Sequence, residues 1–470
     1  MKDNIFRAYD IRGLYPSEID EQAAKQIGKA FASFLRRQYS IESPRIVVGR
    51  DNRTHGEGLQ EAFISGALEH GAQVDIVEDS CSPMIYHAVC RGDYDGGCNV
   101  TASHNGPEYN GIKLVGRGAH SIAGDDIQKI KRMVHEKDFE LSTNEGEDSL
   151  PRRVQKDIFT DYKSHLSQII TLERPLKIVV DAGNGIAGKY YPDVFRALGC
   201  EVIELFCEQD GSFPNHQPDP VVEANTQDLK KKVFESGADV GISFDGDGDR
   251  CAIVDEQGVY HDANQSLVLL ARDVLSRHPG TPVVYTVSSS LIVPEETKKA
   301  GGKPVMVPVG HSHVEHAMTD HKALVGGEQS GHFFIEEGYF PFDDACFAAA
   351  RLCQIFSQRR GNQTSPSSEG VSDSYSDIPK TYDYPEFRIP CPDDQKFEIV
   401  QKLTEQLSSK YDCETMDGVR ADMGDAAWLG IRASNTSPKV SVIIEALTEE
   451  KLKDVYTVAK QLLSGVGLTM

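Results

Sequence analysis

The chain has 470 residues, and its 72 acidic against 49 basic side chains leave a net charge of −23, which argues against general binding to nucleic acid or to anionic membranes. Its length suits several domains, and a composition of 39% hydrophobic and 26% charged residues is that of a globular protein. No apolar run approaches the ~18 residues of a spanning helix. The opening MKDNIFRAYDIRG does not read as a signal peptide. Ten cysteines without a CxxC pair read as reduced, mostly buried thiols, so a cytoplasmic location is the expectation.

Residues 20–38 have the spacing of an amphipathic helix, residues 45–51 (RIVVGRD) read as a short buried strand, residues 59–72 as a helix closing on Gly71, and residues 73–79 as the next strand. This alternation predicts a largely parallel sheet covered on both faces. Residues 96–105 (GGCNVTASHN) repeat the step from strand into loop. The polar stretch 138–153 reads as a boundary or long loop. Residues 176–205 then read as strand, Gly-rich loop, helix and strand, and residues 238–244 and 251–255 as two β-like segments around a loop. A third unit begins near Gly258, with a helix at 265–275, a strand at 281–287 and the segment 323–336. The rhythm recurs three times, which suggests three related α/β units. Residues 361–379, rich in Ser, Gly and Pro, read as a linker. The last hundred residues hold helices at 395–411 and 449–463 and strands at 427–434 and 439–447, a small α+β domain.

The loop 245–250 reads DGDGDR. Asp245, Asp247 and Asp249 stand at alternate positions of a tight loop and can converge on one hard cation, while Gly246 and Gly248 leave room for the fold-back. A calcium EF-hand is a poor match, because Arg250 stands where its sixth loop position needs Gly and the flanks are strands. The bland alternative is an acidic solvated turn. A divalent cation beside Arg250 points instead to Mg²⁺ and a phosphoryl group.

Four other stretches carry chemistry. Residues 101–105 (TASHN) put Ser103 beside His104, with Lys113 ten residues on. A surface turn, a serine hydrolase and a covalent phosphoryl carrier all stay open, though no GxSxG elbow is present and adjacent residues rarely point at each other. Residues 326–332 (GGEQSGH) offer Glu328, Ser330 and His332 to sugar hydroxyls, or form an ordinary strand-to-loop turn. Residues 432–438 (RASNTSP) offer Arg432, Ser434, Asn435 and Thr436 as a phosphate cradle, or a helix N-cap cluster. His311, in PVGHSH, is an isolated candidate acid/base.

In the order FRAYDIRG, TASHN, DGDGDR, GEQSGH, RASNTSP, these motifs span essentially the whole chain. Together they resemble the α-D-phosphohexomutase superfamily, in its phosphomannomutase/phosphoglucomutase branch. The resemblance implies an α/β protein of four domains around a central cleft, three related α/β mixed-sheet domains plus a C-terminal α+β domain. The expected bounds are 1–150 (phosphoserine loop), 151–256 (metal loop), 257–368 (sugar loop) and 369–470 (phosphate loop). It implies Ser103 as the phosphoserine, and Mg²⁺ held by Asp245, Asp247 and Asp249 with the Ser103 phosphate. Arg250, Lys113, His104 and Arg12 would line that region, and His311 would be the acid/base. Glu328, Ser330 and His332 would face the sugar. Arg432, Ser434, Asn435 and Thr436, with Tyr9, would grip the non-reacting phosphate.

The implied activity is reversible phosphoryl transfer between the 1- and 6-positions of a mannose or glucose phosphate through a hexose 1,6-bisphosphate, by a monomer or weak homodimer. The alternatives are a phosphoglucosamine mutase and a non-catalytic sugar-phosphate-binding relative. Three positions depart from the family pattern: Gly106 separates TASHN from Pro107, Gln329 stands where Met is usual and resembles the phosphoglucosamine version, and Pro308 and Val309 precede the Gly–His step where Lys is frequent.

Overall fold

The computed structural model describes residues 2–140, 153–358, 370–434 and 437–470. The chain forms two compact units: Met1–Ser266 with Ser330–Tyr375, and Leu267–Gln329 with Ser376–Met470. Among the described residues no helix is long and apolar enough to cross a membrane, and most of the cysteines are buried.

The first unit opens on a six-stranded mixed sheet in the order Ile11–Leu14, Tyr109–Gly116, Gly96–Val100, Arg45–Arg50, Gln73–Ile76, Arg153–Gln155. The last four run parallel, whereas Tyr109–Gly116 returns antiparallel on Gly96–Val100. The helix Glu21–Tyr39 begins where the Asp20 carboxylate accepts from Ala23 N, and ends on Ser40 in the left-handed region. Its Ile27, Phe31 and Leu35 are fully buried, each contributing roughly 1.5–3 kcal/mol of apolar transfer energy.

A second sheet, in the order Tyr260–His261, Cys251–Asp255, Val240–Phe244, Lys177–Asp181, Glu201–Leu205, repeats the plan. Its last three strands are parallel, and Cys251–Asp255 folds back antiparallel on Val240–Phe244. Loops 101–108 and 245–250 therefore occupy equivalent places. Each follows the carboxyl end of a parallel strand, where α/β sheets place ligand sites, and precedes the antiparallel return. The glycine-rich turn before the helix Ala187–Ala197 has the spacing of a phosphate-binding loop. The N–H groups of residues 183–186 are committed within the protein, however, Gly183 N to Asp181 Oδ1 at 3.0 Å and Ile186 N to Gly246 O at 3.1 Å among them.

Part of the stretch read as a linker is ordered. Val371–Tyr375 is a helix, held by Ser372 N and Oγ donating to Glu256 and by Tyr375 stacked on His261 at 3.6 Å. Linker residues 361–369, and most of the boundary read at 138–153, lie outside the described residues.

The second unit pairs strands Lys303–Val307, Pro282–Thr286 and Val325–Gly327 in parallel. Its C-terminal sheet is antiparallel, with Lys439–Ala446 at its middle between Ala427–Ala433 and the short strands Tyr382–Asp383 and Phe387–Pro390. Helices Lys396–Ser408 and Glu449–Gly465 bury Leu403, Leu407, Val455 and Leu463 against it, as the α+β reading expects. A polar joint ties this sheet to the loop after Pro282–Thr286. Arg420 Nη1 donates to Val287 O and Ser289 O at 2.7 and 2.6 Å, and its guanidinium lies 3.7 Å over the Trp428 ring. Buried Glu445 accepts from Trp428 Nε1, from Leu291 N and from the Ser290 hydroxyl.

Candidate active site

Ser103 stands in loop 101–108 with φ 50°, a conformation few non-glycine residues adopt. Its N–H donates to Thr101 Oγ1 at 2.9 Å. Its hydroxyl, almost wholly buried, donates to Asp245 Oδ2 at 2.7 Å and lies 3.3 Å from His104 Nδ1. Contrary to the expectation for sequence neighbours, the serine and histidine do meet, because the left-handed turn at Ser103 folds the chain back. The 245–250 loop presses close: a Cβ on Gly246 would fall 2.4 Å from Ser103 O, so only glycine fits there.

Asp245, Asp247 and Asp249 are fully buried and offer oxygens within 4.8 Å of one another. Two cations compensate them. Lys113 Nζ donates to Asp247 Oδ2 at 2.7 Å and makes a shorter contact to Asp249. Arg250 Nε donates to Asp245 at 3.2 Å and Nη1 to Asp219 at 3.3 Å. Burial, then the charges of Asp249 and Asp247, push Asp245 up to about 8. For Asp247 burial acts the same way, but the Lys113 ammonium outweighs it and holds the carboxylate below the ordinary range. Lys113 loses hydration, yet the two aspartates keep its pKa well above normal.

The donor set fits a hard divalent cation. All three ligand side chains are carboxylates, and Asp247 Oδ1 and Asp249 Oδ1 are buried with no hydrogen-bond partner among the described residues. Arg250 Nη2 is likewise buried and unpartnered, a donor suited to an anion.

Sequence reasoning missed three residues around this site. Ser82, at the start of the helix Ser82–Arg91, donates to Asp247 Oδ2 at 2.6 Å, and its N–H donates to Asp247 O. Asp343 lies 2.7 Å from His332 Nδ1, whose distance to Asp249 is 3.8 Å. Arg53 lies behind the Ser103 loop. None carries a local motif: Ser82 and Arg53 reach the site across long sequence separations, and Asp343 stands outside any motif. His332, read with the sugar loop, thus has carboxylates for neighbours. Arg12 joins the Ser103 loop through Nη1 to Asn105 Oδ1 at 2.6 Å, and Tyr9 is half-buried just before Asp10.

In the second unit, Glu328 Oε1 accepts from Gly310 N at 2.8 Å, so GEQSGH is tied to the loop that opens the helix His311–His321. Ser330, next but one in sequence to Glu328, belongs to the first unit. Arg432, at the end of Ala427–Ala433, has its Nη1 3.7 Å from Asp417 and its Nε buried without a partner among the described residues. Asp417, also missed, accepts from Val309 N at 3.1 Å. Ser434 Oγ is 3.0 Å from Ser437 Oγ, and buried Lys396 holds Ser434 O and Ser437 O from behind. Asn435 and Thr436 lie outside the described residues.

Sequence models of the phosphoglucomutase/phosphomannomutase family match the chain throughout. Its alpha/beta/alpha domains I, II and III match residues 3–141, 160–258 and 262–378, and its C-terminal domain matches 386–457. A phosphomannomutase/phosphoglucomutase of Pseudomonas aeruginosa is 38% identical over 99% of this chain and 97% of its own length. A phosphoglucomutase of Neisseria meningitidis is 36% identical over 96% and 94%. A crystal structure of a phosphoglucomutase/phosphomannomutase family protein from Burkholderia thailandensis, 33% identical, matches with a TM-score of 0.89 over 99% of this chain and 98% of that one. With every domain matched in order, and relatives alike over nearly their full length, the chain belongs to the phosphoglucomutase/phosphomannomutase family.

Proposed function

We propose that the protein moves a phosphoryl group between the 1- and 6-oxygens of a glucose or mannose phosphate, with Ser103 as its carrier. The observation that supports this most directly is the Ser103 hydroxyl, buried in a strained loop and aimed at a carboxylate trio with Arg250 and Lys113 beside it. Four domains, 1–150, 151–256, 257–368 and 369–470, each bring one loop to the reaction. A sugar hydroxyl attacks phosphorus as the bond from phosphorus to Ser103 Oγ breaks, giving a hexose 1,6-bisphosphate. After the bisphosphate turns over, its other phosphate returns to Ser103. The proton of the attacking hydroxyl needs a base, and His311 is the candidate for it.

Arg250 Nη2 and Lys113 meet the negative charge that spreads over the transferring group. Arg12 and His104 steady the serine loop. Glu328 and Ser330 hold sugar hydroxyls, while Arg432, Ser434, Asn435 and Thr436, with Tyr9, hold the distal phosphate. Asp245, Asp247 and Asp249 would hold Mg²⁺, which when bound supplies Lewis-acid charge for the phosphoryl oxygens.

The test is a mutase assay with Mg²⁺ and a trace of glucose 1,6-bisphosphate on the 1-phosphates of glucose, mannose, glucosamine and N-acetylglucosamine. Turnover of the first two, lost in Ser103→Ala, is the expected result. Preference for glucosamine phosphate would make Gln329 the better guide to substrate, and inactivity on all four would sink the mutase reading.

A further inference from the structure

Arg53 is the largest fully buried side chain among the described residues, and it spends every donor it has on the carbonyls of 103–109 and one carboxylate. Nη2 donates to Ser103 O and Asn105 O, both at 2.7 Å. Nη1 donates to Gly106 O at 2.7 Å and Tyr109 O at 3.1 Å. Nε donates to Asp51 Oδ2 at 3.1 Å, and the guanidinium lies 5.1 Å over the Phe213 ring. Arginine has five N–H donors in a planar fork, and all five are used. Asp51 closes the circuit: it accepts from Thr101 Oγ1 at 2.6 Å, and Thr101 Oγ1 accepts from Ser103 N.

A guanidinium buried under four carbonyls between Ser103 and Tyr109 does more than satisfy polar groups. The left-handed turn at Ser103 holds only where its surroundings over-determine it. The contacts that do so run through the loop's backbone carbonyls and through Thr101, while the serine hydroxyl itself is left to Asp245. We infer that Arg53 is the positioning residue of the serine loop, holding Ser103 Oγ in attack geometry without touching the sugar phosphate. The inference rests on the reading of Ser103 as phosphoryl carrier. It also gives the sequence DNR after the strand Arg45–Arg50 a task that no motif announces.

The test compares Arg53→Ala and Arg53→Lys with the unaltered chain, with Ser103→Ala as control. Steady-state kinetics on glucose 1-phosphate, thermal melting and amide hydrogen exchange are measured for each. The expected result for Arg53→Ala is a kcat about 100-fold lower with KM within about threefold. Exchange should rise within 101–111 and stay unchanged in the C-terminal sheet. Added guanidinium should restore about tenfold of the lost rate to Arg53→Ala and none to Ser103→Ala. Arg53→Lys should recover little, because a three-donor point charge does not replace the fork.

An unchanged kcat overturns the proposal, and so does a loss that guanidinium leaves in place while exchange rises throughout the chain. If Arg53→Ala does not fold, Arg53→Lys decides the matter: localised exchange at 101–111 with lowered kcat supports the clamp, and unchanged exchange there overturns it. A Ser103→Ala chain as active as the unaltered one sinks the carrier reading instead. That failure is told apart by the exchange at 101–111, which does not depend on turnover.

Discussion

Ser103 Oγ and Asp245 Oδ2 stand 2.7 Å apart although 142 positions separate them in the chain. The group proposed to carry phosphate is therefore hydrogen-bonded to a member of the proposed metal cluster before any substrate arrives. Replacing Ser103 by Ala is expected to lower turnover more than about 1,000-fold. Intact-mass measurement after incubation with glucose 1,6-bisphosphate should find one phosphoryl group on the unaltered chain and none on the variant. A phosphorylated Ser103→Ala chain would move the carrier to another residue.

Lys113 is the counter-charge of Asp247 and Asp249, both fully buried. Its replacement by Met leaves two carboxylates uncompensated in a dry site, which is expected to cost about 3–5 kcal/mol in the presence of a chelator. Adding Mg²⁺ should recover part of that loss, because the cation takes up the same charge. Urea midpoints with and without Mg²⁺ measure the difference, and equal midpoints for both chains under chelation would remove Lys113 from this role.

Arg432 is the base of the proposed distal phosphate grip. Arg432→Ala is expected to raise KM for glucose 1-phosphate about 10–100-fold, the value of one or two charge-assisted hydrogen bonds, with a smaller effect on kcat. Initial rates across substrate concentrations separate the two constants. A fall in kcat at constant KM would place Arg432 with the reacting phosphoryl group instead.

Asp344 offers a test by pH. It caps the helix Ala345–Ser357 through Phe347 N and accepts from the Tyr162 and Tyr339 hydroxyls. Burial pushes its carboxyl from an ordinary 3.8 up to about 6. Between these values the folded protein keeps a proton that the unfolded chain has released. The contribution of Asp344 is thus fully present below pH ~4, is lost as pH rises to ~6, and is constant above, a change of about 3 kcal/mol. Asn keeps the cap and carries no charge. Asp344→Asn should therefore gain stability relative to the unaltered chain as pH rises from 4 to 6 and hold that gain at pH 7. Parallel unfolding curves at pH 4.5, 6 and 7 would show it, and a constant difference across the three would contradict it.

What was legible in the sequence is what local chemistry writes. Alternating aspartates and glycines at 245–250, and amphipathic spacing at Glu21–Tyr39 and Glu449–Gly465, reveal themselves within a few residues of chain. Ser82, Lys396 and Arg53 escaped notice because they act on carbonyls and carboxylates far away in sequence, Asp343 because no motif marks the carboxylate that meets His332, and a lone Arg or Lys has no periodicity to mark it. The glycine spacing at 183–188 shows the opposite hazard. The pattern is that of a phosphate loop, but Gly246 O, other carbonyls and the Asp181 carboxylate occupy its donors. The helix Val371–Tyr375 was hidden by a Ser-rich composition, which signals mobility only where no partner such as Glu256 waits.

Trp428 is the single tryptophan of the chain, and it lies beneath the Arg420 guanidinium with its indole N–H on Glu445. Intrinsic fluorescence excited at the indole band therefore has one origin, quenched or released as that stack tightens or parts. The protein carries its own optical gauge at the seam between its C-terminal sheet and the loop 287–291, readable in a cuvette without a label, a mutation or a substrate.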